Sequence, residues 1–89
     1  MSAEVFLGRM RPDARRAELQ RLDATLRGKR VRVKLAPLRD TADAREYVGT
    51  LLCVAHPRVG TVADLVVVER EGYMPDAWSA SVVMSIEAA

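Results

Sequence analysis

The residues of this 89-residue chain that could do chemistry are few, and most of them are cations. Arg30, Arg32 and Lys34 alternate with Val31, Val33 and Leu35. On a strand the three cations would share one face and the three aliphatic residues the other. Same-face side chains on a strand stand about 7 Å apart, a spacing that suits successive phosphates of an extended nucleic-acid strand. Arg27, Lys29 and the upstream Arg15, Arg16 and Arg21 extend the field. Residues 9–34 carry ten Arg or Lys against three acids, while residues 35–89 carry four Arg against eight acids. Such polarity suits a nucleic-acid or acidic-protein partner, and it equally lets the two halves neutralise each other. A stripe of this kind also guards a strand against edge aggregation.

The remaining candidates are sparser. His56 is the only histidine, with Cys53 and Asp64 in its vicinity. One Cys and one His are too few for a structural zinc centre, so no metal is expected. His56 opens a His-Pro turn and is expected to face solvent. Asp64 interrupts an apolar stretch and, if buried, must find hydrogen bonds or an arginine. Glu69 and Glu71 read as hairpin polarity. There is no Gly-rich phosphate loop and no nucleophile with a plausible base, and a chain this short rarely builds a deep pocket. The chain is read as no enzyme, with no cofactor. Tyr73, Met74 and Trp78 surround one loop, and these residue types are enriched at interfaces. Trp78 is assigned to the core; Tyr73 and Met74 stay open as interface residues, and Val5, Phe6 and Leu7 before Gly8 stay open as an edge strand or as an interface with a neighbouring subunit. With only Phe6, Tyr47, Tyr73 and Trp78 as aromatics, base-stacking platforms are scarce.

The elements that must position these groups follow from periodicity. Residues 1–10 read as an adaptable N-terminal segment, and residues 11–89 as one helix-plus-small-barrel domain. The pattern predicts a helix from Pro12 to Arg27, with Leu19, Leu22 and Leu26 as a narrow apolar stripe and Gly28 as its stop. Residues 30–35 form the first strand. The loop 37–45 follows, then a strand from Glu46 to Ala55 with Gly49 marking a bend or close approach. Its simple alternation places Tyr47, Gly49, Leu51 and Cys53 on one face and Val48, Thr50, Leu52 and Val54 on the other. A turn covers 56–60, a strand Thr61 to Arg70, a loop 71–76, and a long last strand Ala77 to Glu87 with Trp78, Ala80, Val82, Met84 and Ile86 on one side. This is mainly β with one N-terminal helix (α+β): a small, strongly bent antiparallel sheet or barrel. Strands apolar on both faces need cover, which favours a homo-oligomer.

A single cysteine fits a reducing compartment. The first ten residues lack the apolar core of a signal peptide, and no apolar run approaches the roughly 20 residues needed to cross a membrane. A cytoplasmic chain with no membrane partner is expected.

The order of elements resembles the Sm-like family of small barrels. Leu26-x-Gly28-Lys29-x-Val31-x-Val33-x-Leu35 is similar to that family's opening, Gly49-Thr50-Leu51-x-x-Val54 to its glycine-bent second strand, and Asp64-Leu65-Val66-Val67 with Glu69 and Glu71 to its third. The likeness spans residues 19–71, and a generic SH3-like barrel fits nearly as well. It implies a five-stranded barrel that assembles into rings and binds RNA. The family's acidic pocket position would fall at Ala55 and its asparagine near Asp64, and the last strand reads Ser81-Val82-Val83-Met84-Ser85. The resemblance therefore implies ring assembly more than the family's RNA specificity. Two functions follow as expectations. One is a non-catalytic, self-associating module that binds RNA or single-stranded nucleic acid through Arg15, Arg16, Arg27, Lys29, Arg30, Arg32 and Lys34. The other is a protein-interaction or regulatory module that docks on a larger partner protein.

Overall fold

The computed structural model describes residues 6–37, 45–57 and 63–89. Helix α1 spans Pro12–Leu26. Pro12 sits in the first turn, where a missing N–H costs nothing, and Asp13 lies at the positive helix end. Only Leu19 and Leu22 are buried along it, with Leu26 packed at the margin of the core. The helix therefore meets the rest of the molecule on a narrow stripe. It stops where Gly28 takes φ of 79°, a left-handed conformation that costs a residue without Cβ nothing. The Gly28 N–H then donates to the Leu51 carbonyl at 2.7 Å, so the helix stop is also a join to the sheet.

Five strands follow: β1 (Arg30–Leu35), β2 (Arg45–Ala55), β3 (Leu65–Glu69), β4 (Asp76–Ser79) and β5 (Val83–Ala88). They form one antiparallel sheet in the order β4-β3-β2-β1-β5. Strand β1 lies between β2 and β5, with Val33 opposite Tyr47 on one side and Ile86 on the other. Val31, Val33 and Leu35 are fully buried, as the alternation requires. They join Leu19, Leu22, Leu51, Val66, Val68 and Val83 in a single core cluster, each such side chain stabilising the fold by about 1.5–3 kcal/mol relative to exposure. The fold is mainly β with one helix. Among the described residues β4 and β5 are the two sheet edges, and the sheet is not closed into a barrel.

Gly49 marks the close approach that its position suggests: a Cβ there would lie 2.6 Å from the Glu69 carbonyl oxygen on β3. Beyond it simple alternation fails. The β2–β3 register shifts between Leu51 and Cys53, and the extra residue brings both Leu51 and Val54 into the core, while Cys53 is half-buried. A bulge of this kind inverts the phase of everything after it, so Cys53 does not share the inner face with Leu51.

The C-terminal third departs further. The long last strand is two strands separated by a 3₁₀ turn at Ala80–Val82. The Ser79 side chain accepts the Ser81 N–H at 3.3 Å, satisfying the turn locally. The turn and a β1–β5 register shift, with Lys34 opposite Ser85 but Leu35 opposite Val83, break the alternation: Val83 and Ile86 are buried and Val82 is exposed. Strand β3 begins at Leu65 rather than near Thr61, and Thr61 itself lies outside the described residues, as do Val5, most of the 37–45 loop and the end of the 56–60 turn. Leu7 corrects another expectation. It sits in a short 3₁₀ turn, Leu7–Arg9, and is 3% exposed in the core. It is part of the chain's own interior, not an interface residue.

Candidate nucleic-acid interface

The cations sort into those held by carboxylates and those that are not. Arg16, on the first turns of α1, forks onto Asp64 immediately before β3, with Nη2 donating to Oδ1 at 2.9 Å and Nε to Oδ2 at 3.3 Å. Asp64 is the one buried polar or charged residue among those described, at 5% exposure. Its carbonyl also accepts the Ala80 N–H at 2.7 Å. His56 at the end of β2 places Nδ1 3.2 Å from Asp64 Oδ1, without the alignment of a hydrogen bond. Asp64 thus ties together α1, the end of β2 and the 3₁₀ turn before β5. Burial alone would raise its carboxyl, but the Arg16 hydrogen bonds and the His56 imidazole outweigh that and hold it below the usual carboxylate value. His56 is accordingly half-buried beside an acid, not a solvent-facing turn residue.

Two more helix arginines are occupied on α1 itself. Arg27 Nε donates to Asp23 Oδ1 at 3.0 Å. These Arg27 bonds lower the Asp23 carboxyl against partial burial, and the Val54 N–H and His56 act in the same direction as Arg27. Arg21 pairs with Glu18 one turn back and lowers its carboxyl against burial. Arg15 spends one donor on the Gly8 carbonyl at 3.3 Å, tying α1 to the N-terminal 3₁₀ turn.

The β1 stripe is interrupted at its centre. Arg32 Nε lies 2.8 Å from Glu46 Oε1 on β2, and its Nη1 3.4 Å from Glu87 Oε1 on β5. Both glutamates arrive by strand pairing, since Glu46 stands opposite Lys34 and Glu87 opposite Arg32. Lys29, Arg30 and Lys34 have no carboxylate partner among the described residues. Lys29 and Arg30 are exposed and Lys34 half-buried. The free positive charge of the stripe therefore sits at its two ends.

Beside the Lys34 end is a groove of about 370 Å³ between the N-terminal 3₁₀ turn and the outer face of the sheet, walled by Phe6, Arg9, Arg32, Lys34, Glu46, Met84, Ser85 and Glu87. The Arg9 guanidinium lies 4.9 Å from the centroid of the Phe6 ring. In the sequence Arg9 is one cation of the basic half, and Met84, Glu46 and Glu87 carry no mark of a site. Their convergence depends on which strands pair, so no local signal could have found it.

On the β2–β3–β4 side of the sheet, the Arg70 guanidinium lies 4.8 Å from the centroids of both Tyr47 and Tyr73. Its Nε donates to Asp76 Oδ2 at 2.8 Å, and Tyr47 stacks on Trp78 at 5.2 Å. Trp78 and Tyr47 pack against the core. Tyr73 and Met74 are 67% and 86% exposed. The spacing Arg70-x-x-Tyr73 across a tight turn was the available hint of this stack.

Among the described residues, no three His, Cys, Asp or Glu side chains converge as a metal-ligand set, and no helix is long and apolar enough to cross a membrane. Comparison with protein-family models, characterised proteins and solved structures returns no match to this chain.

Proposed function

We propose that this chain is a small Sm-like or SH3-like binding module that self-associates and holds RNA or single-stranded nucleic acid through the outer face of β1. The observation that carries this reading is the pairing pattern of the cations. The helix arginines Arg16, Arg21 and Arg27 are committed to carboxylates, while Lys29, Arg30 and Lys34 along β1 are without one among the described residues. Arg30 and Lys34 are four residues apart on one strand face, about 13 Å, so they meet different phosphates of one strand. Arg32 holds Glu46 and Glu87 between them, which limits the repulsion those acids exert on a phosphate. The glycine-linked helix and the strand order β4-β3-β2-β1-β5 support the small-barrel class. The two edge strands, β4 and β5, support self-association by offering unpaired backbone.

The test is fluorescence anisotropy with labelled single-stranded RNA. Affinity is expected to fall steeply with salt, and Lys29→Gln/Arg30→Gln/Lys34→Gln to abolish binding at about 0.15 M salt without changing the circular dichroism spectrum. Unchanged affinity in that triple variant would sink the reading. A second reading, a module docking on a larger protein, is favoured by one observation: Tyr73 and Met74 project beside a guanidinium that orders the tyrosine ring. It requires no RNA binding and a complex lost on Tyr73→Ala/Met74→Ala.

A further inference from the structure

The groove beside Phe6 has a composition that a plain phosphate track does not need. Two of its walls, Phe6 and Met84, are apolar. Arg9 and Lys34 bring positive charge with no carboxylate on them among the described residues. Glu46 and Glu87 each turn one oxygen to Arg32, which leaves each a second oxygen able to accept a hydrogen bond. At about 370 Å³ the groove falls at the small end of the range for ligand sites, about 300–1,000 Å³.

We infer that this groove is a one-nucleotide site, in which a base lies against Phe6 and Met84 and its phosphate meets Arg9 and Lys34. The inference rests on the nucleic-acid reading of the β1 face and gives it a specific address. The chemistry is complementary at each wall. A base has an apolar π face for Phe6 and the polarizable Met84 sulfur. A phosphate accepts from a guanidinium and an ammonium. The carboxylates, which would repel a bare inorganic anion, accept hydrogen bonds from base amino groups or sugar hydroxyls. The same recognition serves a free nucleotide or one nucleotide within a strand. Lys29 and Arg30, at the far end of β1, then contact neighbouring phosphates and lie outside the groove.

The experiment is an NMR titration of the full chain with cytidine monophosphate, with inorganic phosphate, and with an RNA hexamer, alongside anisotropy of the labelled hexamer. Cytidine monophosphate is expected to move the Met84 methyl and the Lys34 signals, whereas inorganic phosphate at equal concentration leaves Met84 unmoved. Phe6→Ala and Met84→Ala are each expected to weaken hexamer binding about tenfold, with circular dichroism unchanged. Tighter binding of the hexamer than of the mononucleotide assigns the site to a nucleotide within a strand; the reverse assigns it to free nucleotides. Hexamer binding that is unaltered in both variants, with Met84 unmoved in the wild type, overturns the groove and leaves the β1 face standing. No binding of the hexamer even at low salt overturns both. Binding of an acidic peptide at Lys34 in place of any nucleotide also overturns the inference.

Discussion

Asp64 and Arg32 are both charged groups set between two polar neighbours, yet they solve different problems. Asp64 is buried where α1, β2 and the turn before β5 meet, and its partners Arg16 and His56 compensate for the water it has lost. Arg32 is 42% exposed in the middle of a sheet face, and its glutamates are more exposed still. An uncompensated buried carboxylate is costly, whereas an exposed pair contributes little and is screened by salt. The first cluster therefore belongs to the fold. The second belongs to the surface: it neutralises the centre of the β1 stripe, while Lys29, Arg30 and Lys34 have no carboxylate partner among the described residues.

The difference can be broken most forcefully at the buried end. Asp64→Ala leaves the Arg16 donors without their acceptor and removes the tie between α1 and the residue before β3, and is expected to lower unfolding stability by about 1–3 kcal/mol in urea melts. Most of that loss is expected to persist in 1 M salt, since the Asp64 carboxylate is itself buried although Arg16 is half exposed.

Acid titration sharpens the same contrast. The carboxyls of Asp64, Asp23 and Glu18 are lower in the folded chain than their ordinary values. As pH falls, the unfolded chain takes up those protons first. The stability these pairs supply is complete above the unfolded carboxylate values, near pH 4, and is lost as pH falls through the folded ones. Urea midpoints measured from about pH 6 down to pH 2 are expected to fall, and Asp64→Asn to flatten that limb. An equally steep limb in Asp64→Asn would remove Asp64 from the account.

The smallest effect is expected on the outer face. Arg32→Gln is expected to change stability by less than about 1 kcal/mol, while weakening RNA binding, because Glu46 and Glu87 then confront the phosphates unneutralised. A stability loss as large as that of Asp64→Ala would erase the distinction between the two clusters.

Much of this was legible in the chain itself. The alternation over 30–35 placed Val31, Val33 and Leu35 inside without ambiguity, and Gly28 and Gly49 marked the helix stop and the close approach. Asp64 announced a need for a partner, because an acid in an apolar stretch must be compensated. Its partner was not legible: Arg16 lies 48 residues away and carried no mark separating it from Arg15. The phase of β2 was lost at the Leu51/Cys53 shift, and that of the C-terminus at the Ala80–Val82 turn and the β1–β5 register shift beyond it. Each displaces the side-chain period by a residue through backbone geometry that alternating apolar residues do not encode. The place of Leu7 in the core was not legible, because nothing in Val5-Phe6-Leu7 says which side chain turns inward.

The sequence by itself determined what depends on near neighbours: the two faces of β1, the helix with its narrow stripe, and the glycine positions where a Cβ or a negative φ would not serve. Only the tertiary structure decided which cations are free. Arg32 reaches Glu87 across 55 residues and Arg16 reaches Asp64 across 48. Such pairings exist only after strands have chosen partners and register. Charge counts add along the chain, but neutralisation is settled in space.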